Sequence, residues 1–131
     1  KDRMDLMYQL LPIIFLAHFL GDFVAQSSWM AENKHKNYDA LLLHVFTYSF
    51  ILFLILSNPF YTFSDQLSFT KIFFYVLVNA ILHGFIDFFT SKFSNFFWKA
   101  QQLRGFFLMI GFDQLVHQIS LLCTIKLLLV S

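Results

Sequence analysis

The chain is short of everything that makes a water-soluble surface. Only 13% of its 131 residues are Asp, Glu, Lys or Arg, where a soluble domain carries about a quarter. The balance of those charges is +1, so there is no basic field to hold nucleic acid, and none is expected as a partner. Cysteine is nearly absent. Cys123 stands alone in an apolar run, which excludes a disulfide framework and a cysteine metal cluster.

What is present is apolar and aromatic. Hydrophobic residues make up 58% of the chain, aromatics 21%, and phenylalanine alone occurs 20 times. Mean hydropathy is +0.64. In water such a chain could not cover its own surface, whereas in lipid it need not. The first apolar stretch has the look of a signal peptide, but Asp22 follows it without a small-residue cleavage site, so a retained helix is expected. Because the sequence begins at Lys1, at least an initiator methionine is expected ahead of it.

Four apolar segments are long enough to cross a hydrocarbon layer of about 30 Å, at Leu6–Gln26, Ala40–Ser57, Thr70–Thr90 and Gly105–Val130. The expectation is an all-α polytopic membrane protein, a four-helix transmembrane bundle forming a single domain over 1–131. Pro12 predicts a kink in the first helix, and Pro59 ends the second because it cannot donate to the helical ladder. In the third connection, Ser91–Arg104, the phenylalanines and Trp98 are spaced for a short amphipathic helix lying in the interface. Connections one and three share a side and hold Lys34, Lys36, Lys92, Lys99 and Arg104, so the positive-inside rule places them in the cytoplasm and both termini outside. Trp29, Trp98, Tyr8 and Tyr61 read as interface anchors, and Lys34-His35-Lys36 as a solvated turn facing head groups.

Ionisable residues are rare in the spans, and they are not scattered. His18 and Asp22 lie on the first helix, His44 on the second, His83 and Asp87 on the third, and Asp113 and His117 on the fourth. Helical rise puts them roughly 5–18 Å from the cytoplasmic ends of their helices. His18/Asp22, His83/Asp87 and Asp113/His117 are each four residues apart, so each pair leaves its helix from one face. A charge in hydrocarbon costs a few kcal/mol or more, so these faces should turn inward on one polar chamber. The motif H-x-x-x-D-F occurs at His18–Phe23 and again at His83–Phe88, an echo that a duplicated helical hairpin would explain. Gly21 and Gly84, beside two of the pairs, suit close helix approach.

Three readings of the chamber stay open on sequence alone. Imidazoles with carboxylates suit a divalent metal, zinc first and manganese or iron as alternatives. His18, His83 and His117 are then first-choice ligands, with Asp22, Asp87 and Asp113 as ligands or general bases. His44 is the fourth ligand or a proton shuttle. Seven groups exceed one tetrahedral shell, which leaves room for a second metal or for acid–base work, as in a membrane-embedded hydrolase acting on a lipid-linked substrate. The same residues would serve a proton- or ion-coupled transporter, or a non-enzymatic subunit of a membrane assembly. The third reading is a structural network of interhelical hydrogen bonds. Membrane lipids are the expected partners, with a homodimer or larger assembly as a further one.

The stretch L-A-H-F-L-G-D-F-V-A-Q-S-S-W-M-A-E-N-K-H-K (Leu16–Lys36), followed by A-L-L-L-H (Ala40–His44), resembles a family of small bacterial membrane proteins classed as a domain of unknown function. Its core has the form H-x-x-G-D-F…Q…W-M-A-x-N-K, and H-G-F-I-D (His83–Asp87) and D-Q-L-V-H (Asp113–His117) look like that family's later motifs. The resemblance implies a multi-pass protein of the bacterial inner (cytoplasmic) membrane and no established activity. A looser likeness, to membrane-bound metal-dependent hydrolases with His/Asp pairs on their helices, is analogy.

Overall fold

The computed structural model describes residues 2–58 and 67–129. Within them every regular element is helical. Helix α1 is Asp2–Phe19, continuing into a wider π turn over Leu20–Val24, and the short α2 is Ser28–Asn33. Helices α3 (Tyr38–Leu56), α4 (Phe69–Lys99) and α5 (Leu103–Thr124) follow, the last ending in a second π turn over Ile125–Leu129. Four helices are long and apolar enough to cross a membrane, Arg3–Val24, Tyr38–Leu56, Phe69–Lys99 and Leu103–Leu129. The four-span, all-α expectation holds. The C-terminal limit at Val130, Pro59, Tyr61 and most of the second connection lie outside the described residues. Pro12 sits within an unbroken α1.

Local chemistry sets the boundaries. Ser27 Oγ accepts from Met30 N at 3.2 Å to start α2. Asn37 Oδ1 accepts from the amides of Asp39 and Ala40 to start α3, and Ser68 Oγ caps α4 through Lys71 N at 3.3 Å. Each cap satisfies amides that the first helical turn leaves without partners.

The third span corrects one expectation. The segment 91–99 is not a separate interfacial helix but the last turns of α4, which runs 31 residues, about 46 Å at helical rise. It ends in a tight αL turn. Gln101 takes φ 56°, and Gln102 N bonds Phe97 O at 3.0 Å, the closing bond of a Schellman motif. At Gly105 a side chain would sit 2.5 Å from the Phe97 ring, so the absence of one lets α5 fold back against α4. The chamber therefore lies further from the ends of α4 and α5 than hydropathy suggested. Twelve residues separate Asp87 from Lys99 and ten separate Leu103 from Asp113, roughly 15–18 Å of helix beyond the site.

The interior is layered along the bundle axis. One half is apolar, with Leu10, Ile14, Leu52, Leu56, Ile125 and Leu129 all at most 1% exposed. Asn79 Nδ2 donating to Thr124 Oγ1 at 2.9 Å makes a polar step at its edge. Beyond that step come the histidines and aspartates. Outward-facing positions such as Phe46, Phe50, Phe85, Phe107 and Leu108 are half or more exposed, the pattern of a surface that meets lipid.

Candidate metal centre and its vestibule

Each side chain of the chamber is set by a helix face. His83 and Asp87 stand one turn apart on α4, and both are buried. Asp22 lies in the π turn after α1, where Gly21 brings the backbone against α3. A Cβ on Gly21 would lie 3.2 Å from both Cα and O of Tyr48. Gly84 also faces α3, where a Cβ would lie 3.1 Å from the Val45 side chain. With the helices this close, His44 of α3 reaches both neighbours. Its Nε2 is 3.1 Å from Asp22 Oδ1, 3.0 Å from Asp87 Oδ2 and 3.0 Å from His83 Nε2.

These contacts define a tetrad of Asp22, His44, His83 and Asp87, all four buried. His83 Nε2 lies 3.6 Å from Asp22 Oδ1 and 3.6 Å from Asp87 Oδ2. Five of the tetrad's six edges thus run from 3.0 to 3.6 Å, and all four atoms lie within 4.8 Å of one another. A tetrahedral ion with ligands at about 2.0–2.1 Å has edges of about 3.3–3.4 Å. The donor set of two imidazoles and two carboxylates fits zinc, iron or manganese.

Hydrogen bonding alone accounts poorly for the same atoms. Two imidazole nitrogens face each other, and one proton at most can lie between them. On the far side of each ring, His44 Nδ1 and His83 Nδ1 are buried without partners among the described residues. The His83 ring is held by stacking instead. His83 lies 3.8 Å from the Tyr48 ring at 6° and 4.3 Å from the His117 ring at 28°.

A second group, Asp22, Asp113 and His117, offers ligand atoms within 4.8 Å of one another and shares Asp22 with the tetrad. His117 Nε2 is 3.1 Å from Asp87 Oδ1 and 3.4 Å from Asp113 Oδ1. His18 joins neither group. Its Nε2 lies 3.0 Å from Gln114 Oε1 and 3.7 Å from Asp22 Oδ2, and its Nδ1 3.4 Å from the Tyr48 hydroxyl, so it stands beside the tetrad against Asp22 and Gln114. The H-x-x-x-D-F echo has a geometric counterpart. Each motif's aspartate meets a histidine of the next long helix at 3.1 Å, Asp22 with His44 and Asp87 with His117.

Several contributors were not read as site residues from the sequence. Gln114 Nε2 donates to Asp22 Oδ2 at 2.9 Å and to Asp113 Oδ2 at 3.1 Å, bridging the sparse seam between α1 and α5. Thr90 donates to Asp113 Oδ1. Lys34 corrects the reading of Lys34-His35-Lys36 as a solvated turn. It lies four residues after buried Met30, so the face of α2 that anchors Met30 also turns Lys34 inward. Its Nζ reaches Asp87 Oδ2 at 2.8 Å, with 15% of the side chain exposed. Burial works against its charge, but Asp87 and Asp22 more than offset this and raise its pKa above the usual 10.5.

Between the connection that holds α2 and the overhanging ends of α4 and α5 lies a cavity of about 610 Å³. Asp22, Asp113 and Gln114 line it on the side of the tetrad, and Lys36 and Lys99 line it elsewhere. Its α4 wall carries Ser91, Ser94, Asn95 and Trp98. These positions continue the face of Asp87 at helical spacing, a signal that was present in the sequence.

A family described as a protein of unknown function (DUF3307) matches residues 10–131, nearly the whole chain. The chain belongs to the DUF3307 family. No curated protein matches it, and no solved structure does. For this DUF3307 protein, what the site does must therefore come from the site itself.

Proposed function

We propose that the protein binds a divalent metal at Asp22, His44, His83 and Asp87, and that this ion serves a hydrolytic centre within the membrane. The observation that carries the reading is the tetrad itself. Four buried donor atoms from the α1 turn, α3 and α4 converge, with five of their six separations at 3.0–3.6 Å, close to the edges of a tetrahedral shell. An ion held there would polarise a carbonyl or phosphoryl oxygen and acidify a bound water.

Hydrolysis is supported by what surrounds the tetrad. Asp113, with 15% of its side chain exposed, lines the cavity within reach of His117, where a general base is useful. The apolar half of the bundle favours a site entered from one end over a through-pathway for protons or ions. By the positive-inside argument that end faces the cytoplasm.

Elemental analysis of protein purified without chelator tests the reading. One zinc, manganese or iron per chain is expected in the wild type. His83→Ala should lose it, while Asn79→Ala, one helical turn away and outside the tetrad, should keep it. Absence of stoichiometric metal from wild-type protein, or equal loss in both variants, would sink the assignment.

A further inference from the structure

The cavity has chemistry of its own at its mouth. Lys36, from the connection after α2, and Lys99, at the end of α4, both line it. Both are exposed, and neither is in an ion pair among the described residues. His35 lines the cavity with them. Its pKa is lowered from 6.5 first by burial, then by Lys36 and Lys99, as expected where positive charge gathers. Two polar atoms on the walls, Gln26 Oε1 and Ser91 Oγ, are occluded and lack hydrogen-bond partners among the described residues. A ligand would complete them, Ser91 by donating to an anionic oxygen and Gln26 by accepting from a hydroxyl.

Glu32 of α2 adds a carboxylate to the lining, along with Lys34 and Thr90, and the apolar part of the wall is Phe23, Ala31, Phe106 and Ile110 together with Trp98. Phe23 of the α1 turn and Phe106 and Ile110 of α5 line the cavity. Phe23 is 44% exposed on the outer surface. A polar head could therefore occupy the cavity while an apolar tail leaves sideways between α1 and α5. The volume lies within the range of about 300–1,000 Å³ usual for small-ligand sites. The lysines stand at the end of their spans, where phosphate is the abundant anion of a bilayer.

We propose that the vestibule binds a phosphate monoester, with the tail of an anionic membrane amphiphile lying in the α1–α5 seam. As the substrate of the metal centre this ligand rests on the reading above. As a bound ligand it depends on the lysine mouth alone.

The test uses the full chain in detergent with Trp29→Phe, which leaves Trp98 on the cavity wall as the sole tryptophan. Trp98 emission is titrated with dioctanoyl phosphatidic acid, dioctanoyl phosphatidylcholine and inorganic phosphate, in chelated and in zinc-loaded protein. Phosphatidic acid should give a saturable change that phosphatidylcholine does not. Lys36→Gln with Lys99→Gln should weaken it at least tenfold, arginine at both positions should restore it, and Lys92→Gln, outside the cavity, should leave it unchanged.

Displacement by inorganic phosphate only at far higher concentration assigns the site to a lipid head group. Displacement at matching concentration assigns it to free phosphate. Equal response to both lipids, no effect of the paired lysine substitution, or an equal loss in Lys92→Gln overturns the proposal. Binding that persists in chelated protein holding no stoichiometric metal would separate failure of the metal reading from failure of this one.

Discussion

Lys34 occupies the place of a cation, and replacing it should cost more without metal than with it. Its ammonium lies 2.8 Å from Asp87 Oδ2, one vertex of the proposed ligand tetrad. At that distance and an effective dielectric constant of about 20, the bare attraction is about 6 kcal/mol. Desolvation offsets much of it. Breaking a buried pair by removing one partner nevertheless costs about 3–5 kcal/mol, because the other charge is left behind. With 15% of the Lys34 side chain exposed, the low end applies, so Lys34→Met should destabilise metal-free protein by about 3 kcal/mol.

In the metal-bound form the ion itself neutralises Asp87, and the same substitution should cost about 1 kcal/mol, the scale of an ordinary point change. The difference of about 2 kcal/mol must appear as affinity, roughly 30-fold tighter metal binding in Lys34→Met. Zinc titration followed by calorimetry, paired with denaturation in chelator and in zinc, measures all sides of the cycle. Equal or weaker zinc binding by Lys34→Met, or equal destabilisation in both conditions, would refute the reasoning.

The pH dependence has a definite sign. Because the folded pKa of Lys34 is raised above 10.5, its contribution is complete below 10.5 and is lost only as pH climbs through the higher folded value. The wild-type minus Lys34→Met stability difference in chelator should therefore be flat from pH 6 to 9 and shrink only in strong alkali.

Other consequences are open to measurement. Gly21→Ala should cost about 1–3 kcal/mol, because its Cβ would meet the Tyr48 backbone at 3.2 Å. Since Asp22 is the next residue, metal content should fall with it. Thermal unfolding and elemental analysis of one preparation check both. Gln101→Gly should stabilise the chain by about 1 kcal/mol by relieving the left-handed φ of 56° at an exposed turn, read as a higher unfolding midpoint with metal content unchanged. Chelator should lower the wild-type midpoint and leave that of His83→Ala nearly where it was, because only the wild type has bound metal to lose.

Much of this protein is legible in its sequence. Span length and hydropathy are local quantities, so four helices long and apolar enough to cross a membrane follow from composition along the chain. The one-turn spacing of His18/Asp22, His83/Asp87 and Asp113/His117 follows from helical periodicity alone. The cost of charge in hydrocarbon then turns those faces inward, and this much holds for His18, Asp22, His44, His83, Asp87 and His117, with Asp113 half-buried. Which atoms meet is another matter, because rotation and separation of helices are set by their partners. His18 shares the spacing of the other pairs, yet Gln114 and Tyr48 take its ring nitrogens and keep it out of the tetrad. Lys34 reads as solvated until α2 packs Met30 inward and carries the lysine with it. Periodicity over 91–99 suits a separate interfacial helix as well as a continuing one, and it is the packing of α5 on Phe97 through Gly105 that fixes the longer α4. Sequence alone therefore determined the spans and their polar faces. The ligand tetrad, its lysine and the vestibule were decided by contacts between distant segments, which no local pattern encodes.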